Sequence, residues 1–264
     1  MTQVIQSVSA WQALRPTLGE DLGFVPTMGN LHEGHLSLME HSCKETAISV
    51  LSIFVNPTQF NNANDYVHYP RTLDHDLDLA KKAGVAYVFA PLYQELYPDD
   101  YAYQVSEVEA SELLEGAVRP GHFTGVLTVV LKLLLLVRAK RAYFGEKDYQ
   151  QVQLLRGMTQ AFFMNTEIIT CPTIRNEFGL AHSSRNKRLT VAQYQQARHF
   201  PALFHSTLSC EEIKNQLQDK GFAVDYVEEY DGRRFAAVRL GDVRLIDNIE
   251  CGVMASVAKQ SRDI

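Results

Sequence analysis

The sequence predicts an α/β protein in which a Rossmann-like parallel sheet carries helices on both faces and a small C-terminal α+β domain follows. Three observations support this fold class. Short runs of β-branched and aromatic residues alternate with helical patterns through the first two thirds of the chain, as in β-α-β units. Polar segments follow the ends of these runs, where parallel sheets place their ligands. After Asn186 the pattern changes to polar helices and strands that favour a second domain. We expect the first domain to span residues 1–176 and the second to span 177–264.

The first domain is predicted to alternate strands with helices. The strands are expected at residues 23–26, 47–55, 86–90, 141–144 and 167–171. The helices are expected at residues 34–45, 72–83, 125–138 and 149–163. The stretch 126–137 is apolar nearly all round, which indicates a helix buried in the core or, alternatively, a helix that contacts a second subunit. It is too short to cross a bilayer.

The second domain is predicted to combine polar helices with an antiparallel sheet. Helices are expected at residues 193–208 and 210–220, and strands at residues 223–227, 234–240 and 243–246. The last two strands are separated by Gly241-Asp242, a pair that favours a tight hairpin turn.

Composition and charge exclude several classes of function. The 264 residues include 46% hydrophobic and 21% charged residues, which is typical of a globular protein with ample core. The net charge of −6 gives no general attraction for nucleic acid, so a phosphate site would have to be local. The four cysteines are widely spaced and the N-terminus lacks the features of a signal peptide. These features predict a cytoplasmic enzyme-sized protein without nucleic-acid or membrane partners.

The segment from Pro26 to His35 carries the strongest signal for chemistry. It follows an apolar strand and places His32 and His35, three residues apart, at the start of a helix. Backbone N–H groups at a helix N-terminus bind anions, and histidines there add donors or charge. The predicted ligand is a nucleotide triphosphate. A zinc site would need histidines at i and i+4 with a third ligand, and two structural histidines are the other alternative.

Two further segments offer polar groups where predicted strands end. Asn56 and Gln59 carry amides that donate and accept hydrogen bonds together, which suits a hydroxy acid, although Asn-Pro is also common in simple turns. The segment 144–151 offers Lys147 for phosphate and Asp148 for a metal, or it is a solvated charged turn.

The segment 174–186 follows the last strand of the first domain. It contains Ser183, Ser184 and Arg185, and hydroxyls beside a guanidinium can hold the charge on a leaving pyrophosphate. The motifs of P-loop and dinucleotide-binding proteins and of serine hydrolases are absent from the sequence.

The motifs together identify a family resemblance. The histidine turn and the Ser-Ser-Arg-Asn loop resemble paired signatures of the nucleotidyl-transferring α/β superfamily, which includes class I aminoacyl-tRNA synthetases. Six ordered motifs resemble the pantothenate synthetase (pantoate–β-alanine ligase) family. They begin at Pro26, Phe54, Tyr69, Arg119, Gly145 and Ser183, and the segment 244–248 matches the family's ending.

The resemblance implies an ATP-dependent reaction in two steps. The carboxylate of pantoate would attack the α-phosphorus of ATP to give pantoyl adenylate and pyrophosphate, and β-alanine would then displace AMP. The implied partners are pantoate, β-alanine and ATP, with Mg²⁺ assisting through unknown ligands, and the implied assembly is a homodimer. The first domain would bind the nucleotide and pantoate.

The resemblance also implies roles for individual residues. His35 would be the proton donor. The implied catalytic residues are His32, His35, Lys147, Ser184 and Arg185. The implied ATP contacts are Met28, Gly29, Asn30, Leu31, His32, Glu33, Gly34, His35, Gly145, Glu146, Lys147, Asp148, Ile174, His182, Ser183, Ser184 and Arg185. The implied substrate contacts are Asn56, Gln59, Tyr69, Arg119 and Gln151.

The chain departs from the family pattern at two places. His182 stands where relatives commonly have Met, inside the nucleotide loop. The stretch before Arg244 is shorter than in the family's usual second domain, which bears on how that domain covers the active site.

Overall fold

The computed structural model describes residues 2–61 and 63–253 and divides into two compact units. The first unit is Met1–Pro172 and the second is Thr173–Ile264. The boundary that the sequence predicts, after residue 176, lies a few residues further along the chain. No helix in the described part of the chain is long and apolar enough to cross a membrane.

The first unit contains a six-stranded sheet in which every neighbouring pair is parallel. Its strands are β1 (Gln3–Ile5), β2 (Leu22–Thr27), β3 (Ile48–Ile53), β4 (Tyr87–Phe89), β5 (Arg141–Gly145) and β6 (Glu167–Cys171). Their spatial order is β1-β4-β3-β2-β5-β6. This order confirms the predicted Rossmann-like parallel sheet. Strand β1, which has three residues and lies at the edge of the sheet, was not predicted.

The helices of the first unit are α1 (Val8–Leu14), α2 (Glu33–Glu45), α3 (Ala63–Val67), α4 (Leu73–Lys82), α5 (Tyr93–Leu96), α6 (Glu115–Val118), α7 (His122–Val137) and α8 (Tyr149–Ala161). Short 3-10 turns occur at Arg15–Thr17, Pro57–Gln59, Ala110–Glu112 and Glu146–Asp148. The four predicted helices correspond to α2, α4, α7 and α8. Helix α1 and the short helices α3, α5 and α6 were not predicted.

The helices cover both faces of the sheet. Successive residues of β2 belong to different apolar clusters, because side chains alternate between the faces of a strand. Phe24 packs in a cluster with residues of α7 and α8, whereas Val25 packs in a cluster with residues of α2 and α4. The predicted arrangement of helices on both faces is therefore confirmed.

Helix α7 is a core element, as its apolar sequence predicts. Eleven of its sixteen residues are buried, among them Phe123, Gly125 and Leu134. Leu135 is its most exposed leucine, with 59% of its surface exposed.

The second unit has its own core and its own sheet. Strands β7 (Ala223–Tyr230), β8 (Arg233–Leu240) and β9 (Val243–Glu250) form an antiparallel sheet in that order. The predicted hairpin is confirmed, because Leu240 pairs with Val243 across Gly241 and Asp242. The helices are α9 (Val191–Ala197), α10 (His199–Phe204) and α11 (Cys210–Asp219), and 3-10 turns occur at Ser184–Arg188 and Cys251–Val253.

The single helix predicted over residues 193–208 is wrong, because the structure has two helices there. Helix α9 ends at Ala197 and α10 begins at His199. Pro201 accounts for the break: it has no N–H to donate to the carbonyl of Ala197, and its ring would collide with that carbonyl in a continuous helix.

Candidate active site

The order of the strands places two loops of the first unit next to each other, at the carboxyl ends of neighbouring parallel strands. Strand β2 lies between β3 and β5. Strands β4 and β1 lie beyond β3 on one side, and β6 lies beyond β5 on the other. In such sheets ligands bind beyond the carboxyl ends of the strands, where the strand order reverses. The loops that leave β2 and β5 contain the residues 28–35 and 146–151, which the sequence analysis singled out.

The loop after β2 delivers two histidines to the start of α2. His32 is the N-cap residue, with extended backbone, and its Nδ1 accepts a hydrogen bond of 3.1 Å from the backbone N–H of Gly34. A neutral ring with Nδ1 as acceptor carries its proton on Nε2. The rings of His32 and His35 lie 4.0 Å apart, centroid to centroid. The first turn of α2 therefore combines outward-pointing backbone N–H groups with paired imidazoles, which is the geometry of an anion site.

A buried carboxylate holds the backbone of this loop in place. Asp76 of α4 is fully buried, and it accepts hydrogen bonds of 2.8 Å from the backbone N–H groups of both Asn30 and Leu31. Thr72 donates a third hydrogen bond of 3.1 Å through its hydroxyl. Backbone N–H bonds of this kind stabilise a carboxylate away from water. Asp76 thus fixes the two residues that precede His32.

The approach of Asp76 to the loop depends on a glycine. Gly29 has a φ of +78°, and a Cβ atom there would lie 2.9 Å from Oδ2 of Asp76. Asp76 was not among the predicted site residues, although its position gives a signal: it is a charged residue on the apolar stripe of α4, with Leu73, Leu77 and Ala80.

The amide of Gln59 is held by the amide of Asn56. Nδ2 of Asn56 donates to Oε1 of Gln59 at 3.0 Å and to the carbonyl of Gly125 at 3.2 Å. Oδ1 of Asn56 accepts from the hydroxyls of Thr58 and Tyr97, both at 3.0 Å. Asn56 is 1% exposed, so its side chain is buried and fully bonded. Gln59 is half-buried, and no residue in the described ranges accepts a hydrogen bond from its Nε2.

The backbone carbonyl of Gln59 is held by the Arg-Pro-Gly-His motif. Nδ1 of His122 donates to this carbonyl at 2.8 Å, and a nitrogen of Arg119 lies 3.0 Å from Nε2 of the same ring. Arg119 also pairs with Glu115 at 3.3 Å. Burial and the nearby Arg119 charge lower the pKa of His122 to about 4. The ring is therefore neutral near pH 7, donating through Nδ1 and accepting through Nε2.

Helix α7 touches the turn that carries Gln59. A Cβ atom at Gly125 would lie 2.5 Å from the carbonyl oxygen of Thr58 and 2.8 Å from Cα of Gln59. Only glycine permits this close approach without a shift of the backbone. Gly125 therefore sets the distance between the core helix and Gln59.

Tyr69 lies in an aromatic cluster with Phe60, the residue that follows the same turn. It is 6% exposed, and its ring is 5.6 Å from the ring of Phe60, which in turn packs 5.4 Å from Tyr66. The guanidinium of Arg71 lies 5.1 Å from the centroid of Tyr66.

Two adjacent glutamines that follow the turn after β5 make different contacts. Gly145 precedes the 3-10 turn, in which Nζ of Lys147 lies 3.2 Å from a carboxylate oxygen of Asp148. Gln150 donates to the carbonyls of Ala110 and Leu113 and accepts from the N–H of Glu115, so its amide braces the segment 110–115. Gln151 is half-buried, and its amide makes no hydrogen bond with any described residue.

The second unit contains the other predicted nucleotide residues in one hairpin and the turn that follows. His182 donates its backbone N–H to the carbonyl of Ile174 at 2.9 Å, so these two residues are neighbours. Ser183 is the N-cap of the Ser184–Arg188 turn and accepts from the N–H of Arg185 at 3.3 Å. Ser184 is buried at 8% exposure.

An ion pair between a half-buried arginine and a buried carboxylate anchors this hairpin to β9. Both terminal nitrogens of Arg175 bond the carboxylate of Asp247, at 2.5 and 2.9 Å, and Arg175 also donates to the carbonyl of Gly179. Burial raises the pKa of Asp247, but the hydrogen bonds from Arg175 and the nearby imidazole of His205, at 3.4 Å, outweigh it, so the net pKa lies below the ordinary value. The predicted family ending, residues 244–248, thus contains the partner of Arg175, a pairing that sequence reasoning did not identify.

Within each unit the structure groups the predicted residues as follows. In the first unit, His32 and His35 are adjacent, Asn56 and Arg119 both bond Gln59, and Lys147 pairs with Asp148. In the second unit, residues 174 and 182–185 form one continuous feature. No group of three His, Cys, Asp or Glu residues in residues 2–61 and 63–253 is arranged to hold a metal ion by itself.

Comparison with known sequences gives one family. A sequence model of the family described as pantoate-beta-alanine ligase matches residues 1–250. The pantothenate synthetase of Coxiella burnetii (strain Dugway 5J108-111) is 59% identical over 250 residues, covering 94% of this chain and 97% of that protein. The pantothenate synthetase of Legionella pneumophila (strain Corby) is 54% identical over 248 residues, covering 93% of this chain and 98% of that protein.

Solved structures agree with the sequence comparison. The pantoate-beta-alanine ligase of Francisella tularensis, crystallised with beta-gamma ATP and beta-alanine, superimposes with a TM-score of 0.92 at 40% identity. The alignment covers 96% of this chain and 98% of that structure. The pantothenate synthetase of Thermus thermophilus gives a TM-score of 0.86 at 39% identity, covering 94% of this chain and 99% of that structure.

Proposed function

The chain belongs to the pantoate-beta-alanine ligase family, and from this membership we propose how its residues divide the work of the reaction. The protein condenses pantoate with β-alanine at the expense of ATP, through a pantoyl-adenylate intermediate, and releases AMP and pyrophosphate. The observation that carries this function is the match over residues 1–250, within which every predicted motif is present.

We assign the binding of ATP to the loop 28–35, the turn 145–148 and the second unit's residues 174 and 182–185. The paired imidazoles and N–H groups at the start of α2 supply donors for the phosphates, and Asp76 fixes the backbone that presents them. His35 would protonate a phosphate oxygen as pyrophosphate leaves. Lys147 would add charge and a donor for the phosphates, and the family membership implies the same kind of role for Ser184 and Arg185. Transfer of an adenylyl group needs such positioning and charge stabilisation rather than a covalent nucleophile.

We assign the recognition of pantoate to Gln59 and Gln151. Both glutamines are half-buried and have amide groups without a hydrogen-bond partner in residues 2–61 and 63–253, apart from the Asn56 contact to Oε1 of Gln59. An amide can bind a hydroxyl and a carboxylate at once. Asn56 and Arg119, which the sequence analysis placed among the substrate contacts, act in this proposal by holding Gln59, and Tyr69 packs against the same turn.

We expect Mg²⁺ to enter with ATP. Mg²⁺ usually binds nucleotide phosphates together with one or two carboxylates and several waters, and Asp148 beside Lys147 is a suitable carboxylate. The ion would neutralise phosphate charge.

We also propose a homodimer in the cytoplasm. The four cysteines are free thiols, in accord with a reducing compartment. Light scattering at micromolar concentration should give twice the 29.8 kDa of one chain. A mass equal to one chain would contradict the dimer.

The reaction is tested by following AMP and pantoyl adenylate separately. With ATP and pantoate alone, the purified protein should form adenylate and pyrophosphate but release little AMP. Addition of β-alanine should release AMP and pantothenate in equal amounts. AMP release that does not depend on β-alanine would instead indicate an enzyme that hydrolyses or transfers the adenylate, and would refute the ligase assignment.

The proposed pantoate contacts are tested by replacement with alanine. Gln59→Ala and Gln151→Ala should raise the KM for pantoate far more than the KM for ATP, because a lost hydrogen-bond partner acts on the substrate that it binds. Gln160→Ala is the matched control, since Gln160 is an exposed residue of the same helix as Gln151. A larger change in the KM for ATP would contradict the assignment.

A further inference from the structure

The amide of Gln59 has a defined direction in this structure. Its Oε1 accepts from Nδ2 of Asn56, so its Nε2 carries the two donors that remain for a ligand. The ligand atom opposite Gln59 must therefore be an acceptor, such as a carboxylate or hydroxyl oxygen. This direction depends on Asn56, because a reversed Asn56 amide would present an oxygen to Oε1.

The Asn56 amide is in turn clamped at both ends. At the amino end, the carbonyl of Gly125 accepts from Nδ2 at 3.2 Å and would repel an oxygen. At the oxygen end, the hydroxyl of Tyr97 donates to Oδ1 at 3.0 Å. The hydroxyl of Thr58 donates to the same oxygen at 3.0 Å, from within the turn that carries Gln59. Tyr97 is the hydroxyl donor that reaches Asn56 from outside this turn.

Tyr97 is itself held firmly. It follows α5, is 1% exposed, and packs 6.1 Å from the ring of Phe54 and 5.0 Å from the ring of Tyr93. The ammonium group of Lys132, on the core helix α7, lies 4.9 Å from its ring centroid and bonds Asp99 at 2.7 Å. Burial raises the pKa of the Tyr97 hydroxyl, which therefore stays protonated and able to donate.

We propose that Tyr97 is a positioning residue for pantoate: its hydroxyl fixes the amide of Asn56, which fixes the amide of Gln59 with its donors toward the substrate. This inference rests on the proposed role of Gln59 in binding pantoate. Tyr97 touches no substrate in this scheme. The aromatic packing around α5 therefore affects the binding of pantoate and not that of ATP or β-alanine.

The first test is Tyr97→Phe, which removes one hydroxyl and keeps the ring. The KM for pantoate should rise about fivefold, the effect of losing one hydrogen bond of typical net strength, while the KM values for ATP and β-alanine stay within twofold. Tyr93→Phe is the matched control, because the hydroxyl of Tyr93 makes no hydrogen bond within the described ranges. An unchanged KM for pantoate in Tyr97→Phe, or an equal rise in all three KM values, overturns the proposal.

The second test is a double-mutant cycle with Gln59→Ala. If Tyr97 acts through Gln59, Tyr97→Phe should have no further effect on the KM for pantoate in the Gln59→Ala background. Independent effects that multiply would overturn the relay. The cycle also separates the two proposals. A Gln59→Ala variant with normal pantoate binding refutes the role of Gln59 itself, whereas an altered Gln59→Ala beside a normal Tyr97→Phe refutes only the role of Tyr97.

A further variant covers the case in which Tyr97→Phe does not fold, which thermal unfolding would reveal. Thr58→Val removes the other hydroxyl that bonds Oδ1 of Asn56. It should raise the KM for pantoate in the same direction and should likewise have no further effect when combined with Gln59→Ala. A normal KM for pantoate in Thr58→Val would then overturn the proposal, because it would show that a hydroxyl bonded to Oδ1 of Asn56 does not hold the Gln59 amide.

Discussion

Gly125→Ala should damage catalysis by moving the backbone that carries Gln59. The added Cβ atom would lie 2.5 Å from the carbonyl oxygen of Thr58, 2.7 Å from its carbonyl carbon and 2.8 Å from Cα of Gln59. All three are backbone atoms, so no flexible side chain can turn away. Helix α7 is buried on most of its surface and cannot move outward easily. The turn Pro57–Gln59 must therefore shift.

The size of the effect follows from the size of the shift. Ordinary contact begins at 3.4 Å, so the Thr58 carbonyl must retreat by about 0.9 Å. A misplacement of about 1 Å at a substrate-positioning group can cost roughly 100-fold in rate. We expect kcat/KM for pantoate to fall about 10- to 100-fold. Overpacking costs about 1–3 kcal/mol of stability, and Ala returns about 1 kcal/mol through its better helix propensity, so the variant should remain folded.

The assay is steady-state kinetics with pantoate varied, accompanied by thermal unfolding. Gly157→Ala is the matched control, because Gly157 lies inside helix α8 and an added Cβ atom there meets no atom within 4 Å. It should gain up to about 1 kcal/mol of stability and keep its activity. A Gly125→Ala enzyme with kcat/KM for pantoate within twofold of the wild type would show instead that the position of this turn does not control pantoate binding.

Three further predictions concern histidines. His35→Ala should slow adenylate formation at least roughly 100-fold, as for loss of one transition-state contact, and a near-normal single-turnover rate would contradict its role. His122 has a folded pKa of about 4, below the roughly 6.5 of an unfolded histidine. The unfolded state therefore binds more protons between these values, and the free energy of unfolding should fall by up to about 3 kcal/mol as pH drops from 6.5 to 4. Urea denaturation should show a smaller decline in His122→Gln; an identical decline would show that other groups cause it. His182→Met should keep activity within about threefold, since the backbone N–H at this position can bond the carbonyl of Ile174 with either side chain; a dependence of ATP affinity on pH between 6 and 8 that vanishes in the variant would instead give the side chain a direct role.

Local patterns were sufficient to predict the main elements of both units. The strands of the central sheet and the long helices have strong periodicity or continuous apolar runs, and their type was predicted correctly. β1 was missed because three residues are too few to show a pattern, and it is ordered by pairing with β4, more than eighty residues away. The helix predicted over residues 193–208 failed because Pro201 was given too little weight.

Residues of the candidate site could be proposed from the sequence only where they lie at strand ends or in motifs. His32, Gln59 and Lys147 are of this kind. Their supports were not predictable, because each depends on a contact between distant parts of the chain. Asp76 meets Asn30 across 46 residues. Tyr97 meets Asn56 across 41 residues. Nothing local to either partner reveals such a pairing.

The two adjacent glutamines of α8 make the candidate site sensitive to the number of residues in the preceding turn, Glu146–Asp148, more than to the identity of those residues. Consecutive residues of a helix point about 100° apart, which is why Gln150 braces the segment 110–115 while Gln151 does not. Deleting one residue from the turn Glu146–Asp148 would bring Gln151 to the bracing position and Val152 to the position that Gln151 occupies. Inserting one residue would bring Tyr149 to the bracing position. Either change in length removes one of the two amides, although many substitutions within the turn would leave both in register.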